Sequence, residues 1–253
     1  MALAHGFMEE MSGVLGNVVI VHRGKKTFIK NRPKRTENPL TELAMLKREK
    51  FGLGGKIASA ISSISEIKLL WAGNPEKNLT GYNRMFIANH GQFNIEDLTG
   101  KIVVSDVTGL EVLNPSIELG NAGVEINCDW VESKDNNKEK ATAKIMAAGI
   151  IVLINPTEIN KHSKYQIMTF KTETFPIGDS GKFSANVKYL GGDVTKFQAF
   201  QLKKAFGVFV TLDEEGNPID ISETVESGVW RGLMMDQIEK NLAAIPDGVE
   251  NKT

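Results

Sequence analysis

The densest chemistry in the sequence is a run of cations near the N-terminus. Between His22 and Arg35 there are seven basic residues, no acidic residue and one aromatic ring. Lysine and arginine neutralise phosphates or pair with carboxylates, and an aromatic ring stacks on nucleic-acid bases. The candidate contacts to a protein partner or to phosphate are therefore Arg23, Lys25, Lys26, Phe28, Lys30, Arg32, Lys34 and Arg35.

The other chemistry-bearing residues match no familiar catalytic or metal-binding motif. The four histidines lie far apart in the sequence, without the short spacing that metal ligands favour. Residues 52–56 resemble a phosphate-binding loop only superficially, because Lys56 is followed by Ile57 where such a loop needs serine or threonine. We therefore expect no catalytic residue, no metal and no cofactor, and a protein that is not an enzyme. One alternative hypothesis stays open, that of an enzyme or small-ligand protein with a pocket between a long helix and a β-sandwich.

Composition and charge exclude several classes of protein. The chain has 253 residues, of which 41% are hydrophobic and 24% are charged, as in ordinary globular proteins of one or two domains. Thirty basic and thirty-one acidic residues give a net charge of -1, which excludes a uniformly basic nucleic-acid coat. From Thr211 onward, however, ten acids face three cations, so the chain has a basic front and an acidic rear. Such polarity favours contacts between copies.

Targeting signals and cysteine usage predict a cytoplasmic product. The N-terminus lacks a basic start followed by a long apolar run, and no stretch approaches eighteen apolar residues. We expect cytoplasmic synthesis without a signal peptide, no membrane contact, and either the cytosol or an assembled virion as the final location. The single cysteine, Cys128, excludes an intramolecular disulfide and is expected to be reduced and buried.

The first half of the chain predicts a hairpin and two helical segments. Residues 17–32 place strand-forming residues on both sides of a turn that contains glycine, which is typical of a β-hairpin. A helix follows, with Gly52, Gly54 and Gly55 inside it as signs of a kink or of close packing. A shorter helix is predicted over residues 82–89. One face of the long helix carries Leu43, Leu46, Lys50, Leu53, Ile57, Ile61 and Ile64.

The hairpin is the basis of the functional expectation. Two strands alone are marginally stable in water, so a hairpin without strands beside it must pack on another surface. We therefore expect this basic hairpin to pack on the long helix, on the sandwich or on a neighbouring copy, and this need for a partner favours assembly.

The second half predicts short strands separated by turns. Their number and spacing favour an antiparallel β-sandwich, followed by a helix over residues 230–244. The predicted strands cover residues 101–105, 110–113, 124–131, 149–155, 165–171, 182–189, 196–201 and 206–212. We expect a basic hairpin and helical arm over residues 1–98, a sandwich domain over 99–228, and a C-terminal helix with an acidic tail over 229–253.

Several motifs together resemble an uncharacterised domain family of Bacteroidota and their phages and prophages. The motifs are the glycine-containing start at 13–19, the basic exit at 30–34, Asn38-Pro39, the segment 47–53 and Gly81-Tyr82-Asn83. The second half matches more loosely, through Asp129-Trp130 and residues 149–156 and 206–209. The glycines inside the long helix and the acidic tail depart from the pattern. The resemblance implies a basic hairpin, a long helix and a C-terminal immunoglobulin-like sandwich, with no reaction attached.

These observations predict an α+β protein in which an N-terminal β-hairpin and helices precede an antiparallel immunoglobulin-like β-sandwich. The favoured function is a non-enzymatic structural or assembly protein of a phage or phage-derived particle, forming a homo-oligomer or binding other particle subunits. The alternative is a nucleic-acid-binding module that uses the basic hairpin.

Overall fold

The computed structural model describes residues 2–4, 13–23, 26–32, 41–73, 79–96, 98–105, 109–133, 144–157, 163–177 and 182–232. The chain forms two compact units, Met1–Met45 and Leu46–Thr253. The described part contains four helices and mostly antiparallel strands, which confirms the α+β class. No helix in this part is long and apolar enough to cross a membrane.

The N-terminal unit contains one antiparallel sheet in the order β1-β4-β3-β2. Its strands are β1 (Ala2–Ala4), β2 (Gly13–Leu15), β3 (Val18–Arg23) and β4 (Lys26–Asn31). The predicted hairpin, β3 with β4, is confirmed. Its expected lack of strand partners is wrong, because β1 pairs with β4 and β2 pairs with β3.

The helices predicted after the hairpin are confirmed, the shorter one beginning one residue earlier than expected, whereas the helix over residues 192–198 was not predicted. The helices are α1 (Glu42–Ser62), α2 (Ser65–Ala72), α3 (Gly81–Asn89) and a short α4 (Gly192–Gln198). Helix α1 continues through its three glycines without a break. Its predicted apolar face is buried only in its second half: Leu53, Ile57 and Ile61 are buried, whereas Leu43 and Leu46 are exposed.

The remaining strands form one large sheet and three small ones. They are β5 (Phe93–Asn94), β6 (Thr99–Gly100), β7 (Leu110–Leu113), β8 (Ser116–Leu119), β9 (Gly123–Cys128), β10 (Trp130–Ser133), β11 (Lys144–Pro156), β12 (Tyr165–Lys171), β13 (Phe175–Pro176), β14 (Phe183–Lys188), β15 (Phe200–Leu212), β16 (Pro218–Ile221), β17 (Val225–Glu226) and β18 (Trp230–Arg231). The large sheet has the path β12-β11-β15-β16, and β13, β17 and β18 pair beside it. The small sheets are β14-β9-β8, β10-β7 and β5-β6.

Two apolar clusters cover the two faces of the large sheet. Successive residues of a strand point to opposite faces, so even-numbered and odd-numbered residues of β11 enter different clusters. Met146, Ile150 and Val152 pack with α1, α2 and α3, whereas Ile151 and Leu153 pack with the β14-β9-β8 sheet and α4. The unit is therefore layered as helices, large sheet and small sheet. The helical cluster spans both sides of position 98, and separate folding of 1–98 and 99–228 stays a prediction.

The strands predicted at 110–113 and 165–171 are confirmed, and those at 149–155 and 206–212 are parts of the longer β11 and β15. The strand predicted over 182–189 is confirmed as β14, one residue shorter at each end. The single strand predicted over 124–131 is wrong, because it divides at Asp129 into β9 and β10, which pair in different sheets. Asp129 holds the division, since its amide donates to the Leu113 carbonyl at 3.0 Å and its carboxylate accepts from Asn114 at 2.9 Å.

Two further predicted elements are wrong, at 196–201 and at the start of 230–244. Helix α4 occupies residues 192–198 and inserts Phe197 into the cluster beneath the small sheet, so strand β15 begins only at Phe200. Trp230 lies in β18, where it pairs with Lys203. The remainder of the predicted C-terminal helix, residues 233–244, lies outside the described residues.

Residues 101–105 form no strand, and side chains bind several of their peptide groups instead. The Asn89 amide donates to the carbonyl of Val103 and accepts from its N–H, at 2.9 and 2.8 Å. Trp71 Nε1 donates to the Val104 carbonyl at 2.9 Å, and the Val104 N–H donates to the Thr224 hydroxyl at 3.0 Å. Side chains of two helices and a loop thus replace a strand partner for this segment.

Asn89→Ala tests this replacement. The change removes three hydrogen bonds of a side chain that is only 2% exposed and leaves the Val103 peptide without them. We expect a loss of about 3 kcal/mol in the free energy of unfolding, measured by urea denaturation. Asn83→Ala, an exposed site on the same helix, is the control and should change stability by less than about 0.5 kcal/mol. Equal losses in both variants would contradict the role of Asn89.

A second test concerns the glycine pair at the centre of the large sheet. Gly149 of β11 and Gly207 of β15 are register partners, and the Phe170 ring lies against both. A Cβ atom at Gly149 would overlap the Phe206 carbonyl oxygen and lie 2.8 Å from the Phe170 ring. Because backbone cannot move aside cheaply, Gly149→Ala should lower the free energy of unfolding by about 3 kcal/mol.

Gly52→Ala is the matched control for the glycine test. The added methyl would meet only the Tyr165 hydroxyl, at 4.0 Å, inside a helix. Alanine is favoured over glycine in helices by up to about 1 kcal/mol, so this variant should gain stability. The same urea titration compares both, and destabilisation by Gly52→Ala would contradict the open space at this position.

Candidate functional site

The N-terminal sheet positions the basic residues on a scaffold of four strands. A two-residue turn at Gly16-Asn17 joins β2 to β3, with Leu15 paired to Val18 and Gly16 at φ +58°. Such tight turns require positive φ, which glycine adopts without strain. This turn is the signal in the sequence from which β2 could have been predicted. No comparable signal marks β1.

The register of the hairpin places apolar and cationic side chains on one face. Val21 pairs with Phe28 and Val19 pairs with Lys30, and residues two apart on a strand share a face. Phe28, Val19 and Val21 are half-buried, and Lys30 is exposed. Val14, which pairs with Val19, is 58% exposed. We call the surface formed by Val14, Val19, Val21, Phe28 and Lys30 the basic-apolar face.

The other predicted contacts fall around this face. Arg32 is exposed directly after β4, and its backbone N–H donates to the Asn17 carbonyl at 2.7 Å. Arg23 and Lys26 are register partners at the far end of the hairpin. Lys25, Lys34 and Arg35 lie outside the described residues. The structure therefore brings Phe28 and Lys30 together on one strand and leaves Arg32 beside them in sequence.

A group of aromatic side chains surrounds Lys203 on β15, and we call it the lysine cluster; the sequence did not reveal it. This lysine is 1% exposed, and its Nζ lies 3.6 Å from the centre of the Trp230 ring and 4.3 Å from that of Phe197. Tyr189 stacks on Phe197 at 4.5 Å, and its buried hydroxyl has no hydrogen-bond partner among the described residues. No sequence signal marks this cluster, because its members come from a loop, a helix and two strands.

Burial decides the electrostatics of this cluster. Desolvation lowers the pKa of Lys203 from 10.5 to about 8, while the two ring faces attract the charged form. Burial also raises the pKa of Tyr189.

Cys128 is buried as expected, and burial raises its pKa to about 11, which keeps the thiol protonated at neutral pH.

The potential metal ligands of the described residues form no metal-binding cluster, since no group of three or more of them converges. His90 caps the C-terminus of α3 and packs against Phe86, with ring centres 5.2 Å apart. His5 and His162 lie outside the described residues.

Comparison with known proteins adds no relative. No protein-family model, curated protein or solved structure matches the chain. The candidate function is therefore argued from the geometry of the basic-apolar face and from the sequence.

The lysine cluster generates a pH prediction. Between pH 8 and 10.5 the folded protein releases the Lys203 proton while the unfolded chain keeps it, so unfolding takes up a proton. The free energy of unfolding of the wild type should therefore rise with pH relative to that of Lys203→Met, by up to about 3 kcal/mol.

Urea denaturation at several pH values measures this difference, and comparing variants cancels the other titrating groups. Lys68→Met, at an exposed lysine of α2, is the control and should run parallel to the wild type. A Lys203→Met curve that also runs parallel to the wild type would contradict the lowered pKa.

Proposed function

We propose that the protein is a non-enzymatic structural or assembly protein that docks on neighbouring subunits through its N-terminal sheet. The observation that carries the proposal is the basic-apolar face, where half-buried valines and Phe28 lie beside exposed Lys30. An apolar centre with a polar, solvent-accessible rim is the usual composition of a protein interface. Arg32, which is exposed directly after β4, is a second cation in the same part of the sequence.

The charge distribution supports a partner that is acidic. The N-terminal run is exclusively basic, whereas the chain from Thr211 onward carries ten acids against three cations. Opposite charges at two ends of one chain suit a head-to-tail contact between copies, which gives a homo-oligomer or a contact with other particle subunits.

The resemblance to a domain family of Bacteroidota and their phages supports the particular kind of assembly. We propose a component of a phage or phage-derived particle, made in the cytoplasm and carried in the virion. We also propose that the second unit contains an immunoglobulin-like sandwich. Its two sheets are the large sheet and the β14-β9-β8 sheet, which share an apolar cluster.

Charge reversal on the N-terminal sheet tests this function. We expect the full chain to self-associate, and the double variant Lys30→Glu, Arg32→Glu to shift the assembly towards monomer by at least about tenfold in Kd. Size-exclusion chromatography with light scattering is the measurement. The control, Lys68→Glu with Lys101→Glu, reverses two exposed charges elsewhere and should leave the assembly unchanged.

A compact monomer at high concentration, unchanged by deletion of residues 1–36, would exclude homotypic assembly through this face. The same variants then decide the alternative, a nucleic-acid-binding module. The position of Phe28 beside Lys30 favours this function. The aromatic ring can stack on a base while the cation neutralises a phosphate. That function requires binding of a labelled single-stranded oligonucleotide that weakens steeply with salt and is lost in the double variant.

A further inference from the structure

Strand β12 forms an open edge of the large sheet. It pairs with β11 on one side, and no strand among the described residues pairs with its other side. An open edge presents unpaired peptide groups to another chain, so proteins usually cover or interrupt it. This edge belongs to the unit Leu46–Thr253 and is separate from the N-terminal sheet.

The register identifies which peptide groups of β12 point outward. Just beyond the strand, the Thr172 N–H donates to the carbonyl of its register partner Ala147 at 2.9 Å, so residue 172 faces β11. Residues of an antiparallel pair alternate between facing the partner and facing away. Residues 166, 168 and 170 therefore bond to β11, and the peptide groups of Tyr165, Ile167, Thr169 and Lys171 face outward.

Within the described residues, the outward groups at the centre of the strand have no partner. The Tyr165 carbonyl accepts from the Ser163 hydroxyl at 2.6 Å, as an outward-facing carbonyl should. The N–H and C=O groups of Ile167 and Thr169 have no hydrogen-bond partner in the described part of the chain. They are free to pair with one more strand.

A groove lies along this edge. It has a volume of about 680 Å³, and its floor is formed by five consecutive residues, 165–169. Consecutive strand residues point to opposite faces, so a cavity that touches all five must run along the edge itself. One wall is formed by Lys56 and Ser59 of α1 with Ser63 just after it, and the other wall is α4, with Asp193 and Lys196.

The groove carries an excess of positive charge. Lys56 is exposed, lies 4.3 Å from the centre of the Tyr165 ring, and has no carboxylate partner among the described residues. Lys196 is neutralised by Asp193 at 3.0 Å. At the two ends of β12, Lys164 and Lys171 bind Glu49 and Glu66 at 2.8 and 2.6 Å. One cation on the α1 wall thus remains without a counter-charge.

We propose that this groove binds an extended acidic segment of a partner protein by strand addition to β12. The main chain of the segment pairs with the peptide groups of Ile167 and Thr169, which supplies affinity. Its side chains alternate between the two walls, and a carboxylate on the α1 side meets Lys56. The partner is recognised by an extended backbone with carboxylates at alternate positions.

The test uses a blocked, fluorescein-labelled octapeptide of alternating glutamate and valine, with an alternating lysine-valine peptide for comparison. We expect fluorescence anisotropy to show saturable binding of the glutamate peptide and at least about tenfold weaker binding of the lysine peptide. Thr169→Pro removes one outward N–H without removing a bond to β11, since proline is tolerated at such edge positions. It should weaken binding about tenfold or more, whereas Thr169→Val should bind like the wild type. Lys56→Glu should weaken binding of the glutamate peptide, and Lys68→Glu should not.

Hydrogen exchange supplies a readout that needs no variant. Binding should slow exchange of the Ile167 and Thr169 amides and leave those of Met168 and Phe170, already bonded to β11, unchanged. Absence of binding, unchanged exchange at both outward amides, or equal affinity for both peptides would overturn the proposal. Concentration-dependent self-association that Thr169→Pro abolishes would also overturn it, in favour of a second copy as the occupant.

Discussion

The antiparallel pairing of β11 with β15 is the constraint on which the second unit depends. Each strand is thirteen residues long, and both are buried for most of their length on both faces. A sheet buried on both faces needs a cover on each side, and here the cover is three helices on one face and a small sheet with α4 on the other. The glycine pair at the centre makes room for the Phe170 ring, so the second cluster reaches close to the backbone of the sheet.

Polar side chains join the layers where strands do not. Asn89 and Trp71 bind the peptide groups of residues 103 and 104, so the segment after β6 is held against the helices by side chains. Buried peptide groups must be paired, and these side chains meet that requirement without another strand. The buried Lys203 is stabilised in a similar way, because the aromatic faces of α4 and β18 take the place of a carboxylate partner.

The two proposed binding surfaces differ in the physics they use. The basic-apolar face of the N-terminal sheet offers side chains, and its partner is selected by burial of valines and Phe28 together with charge. The edge of β12 offers main-chain groups between two walls, and its partner is selected by extended conformation and by Lys56. Both proposed surfaces favour acidic partners.

The sequence by itself determined the local elements whose signals are periodic. The hairpin at β3 and β4, the helices at 42–72 and 81–89, and the strands at 110–113 and 165–171 follow from alternation, helical spacing and turn residues. The basic run was equally visible, because charge is a property of composition. These signals depend on residues a few positions apart, so they can be recognised before the fold is known.

Tertiary structure alone decided the rest. Residues 101–105 have the alternation of a strand, yet side chains from distant helices bind their peptide groups. Residues 196–197 became helical because Phe197 enters the apolar cluster beneath the small sheet, and Trp230 became a strand residue because Lys203 lies opposite. The lysine cluster and the β12 groove are invisible in the sequence, since each is built from segments brought together only by packing, where contacts far apart in the chain override local preference.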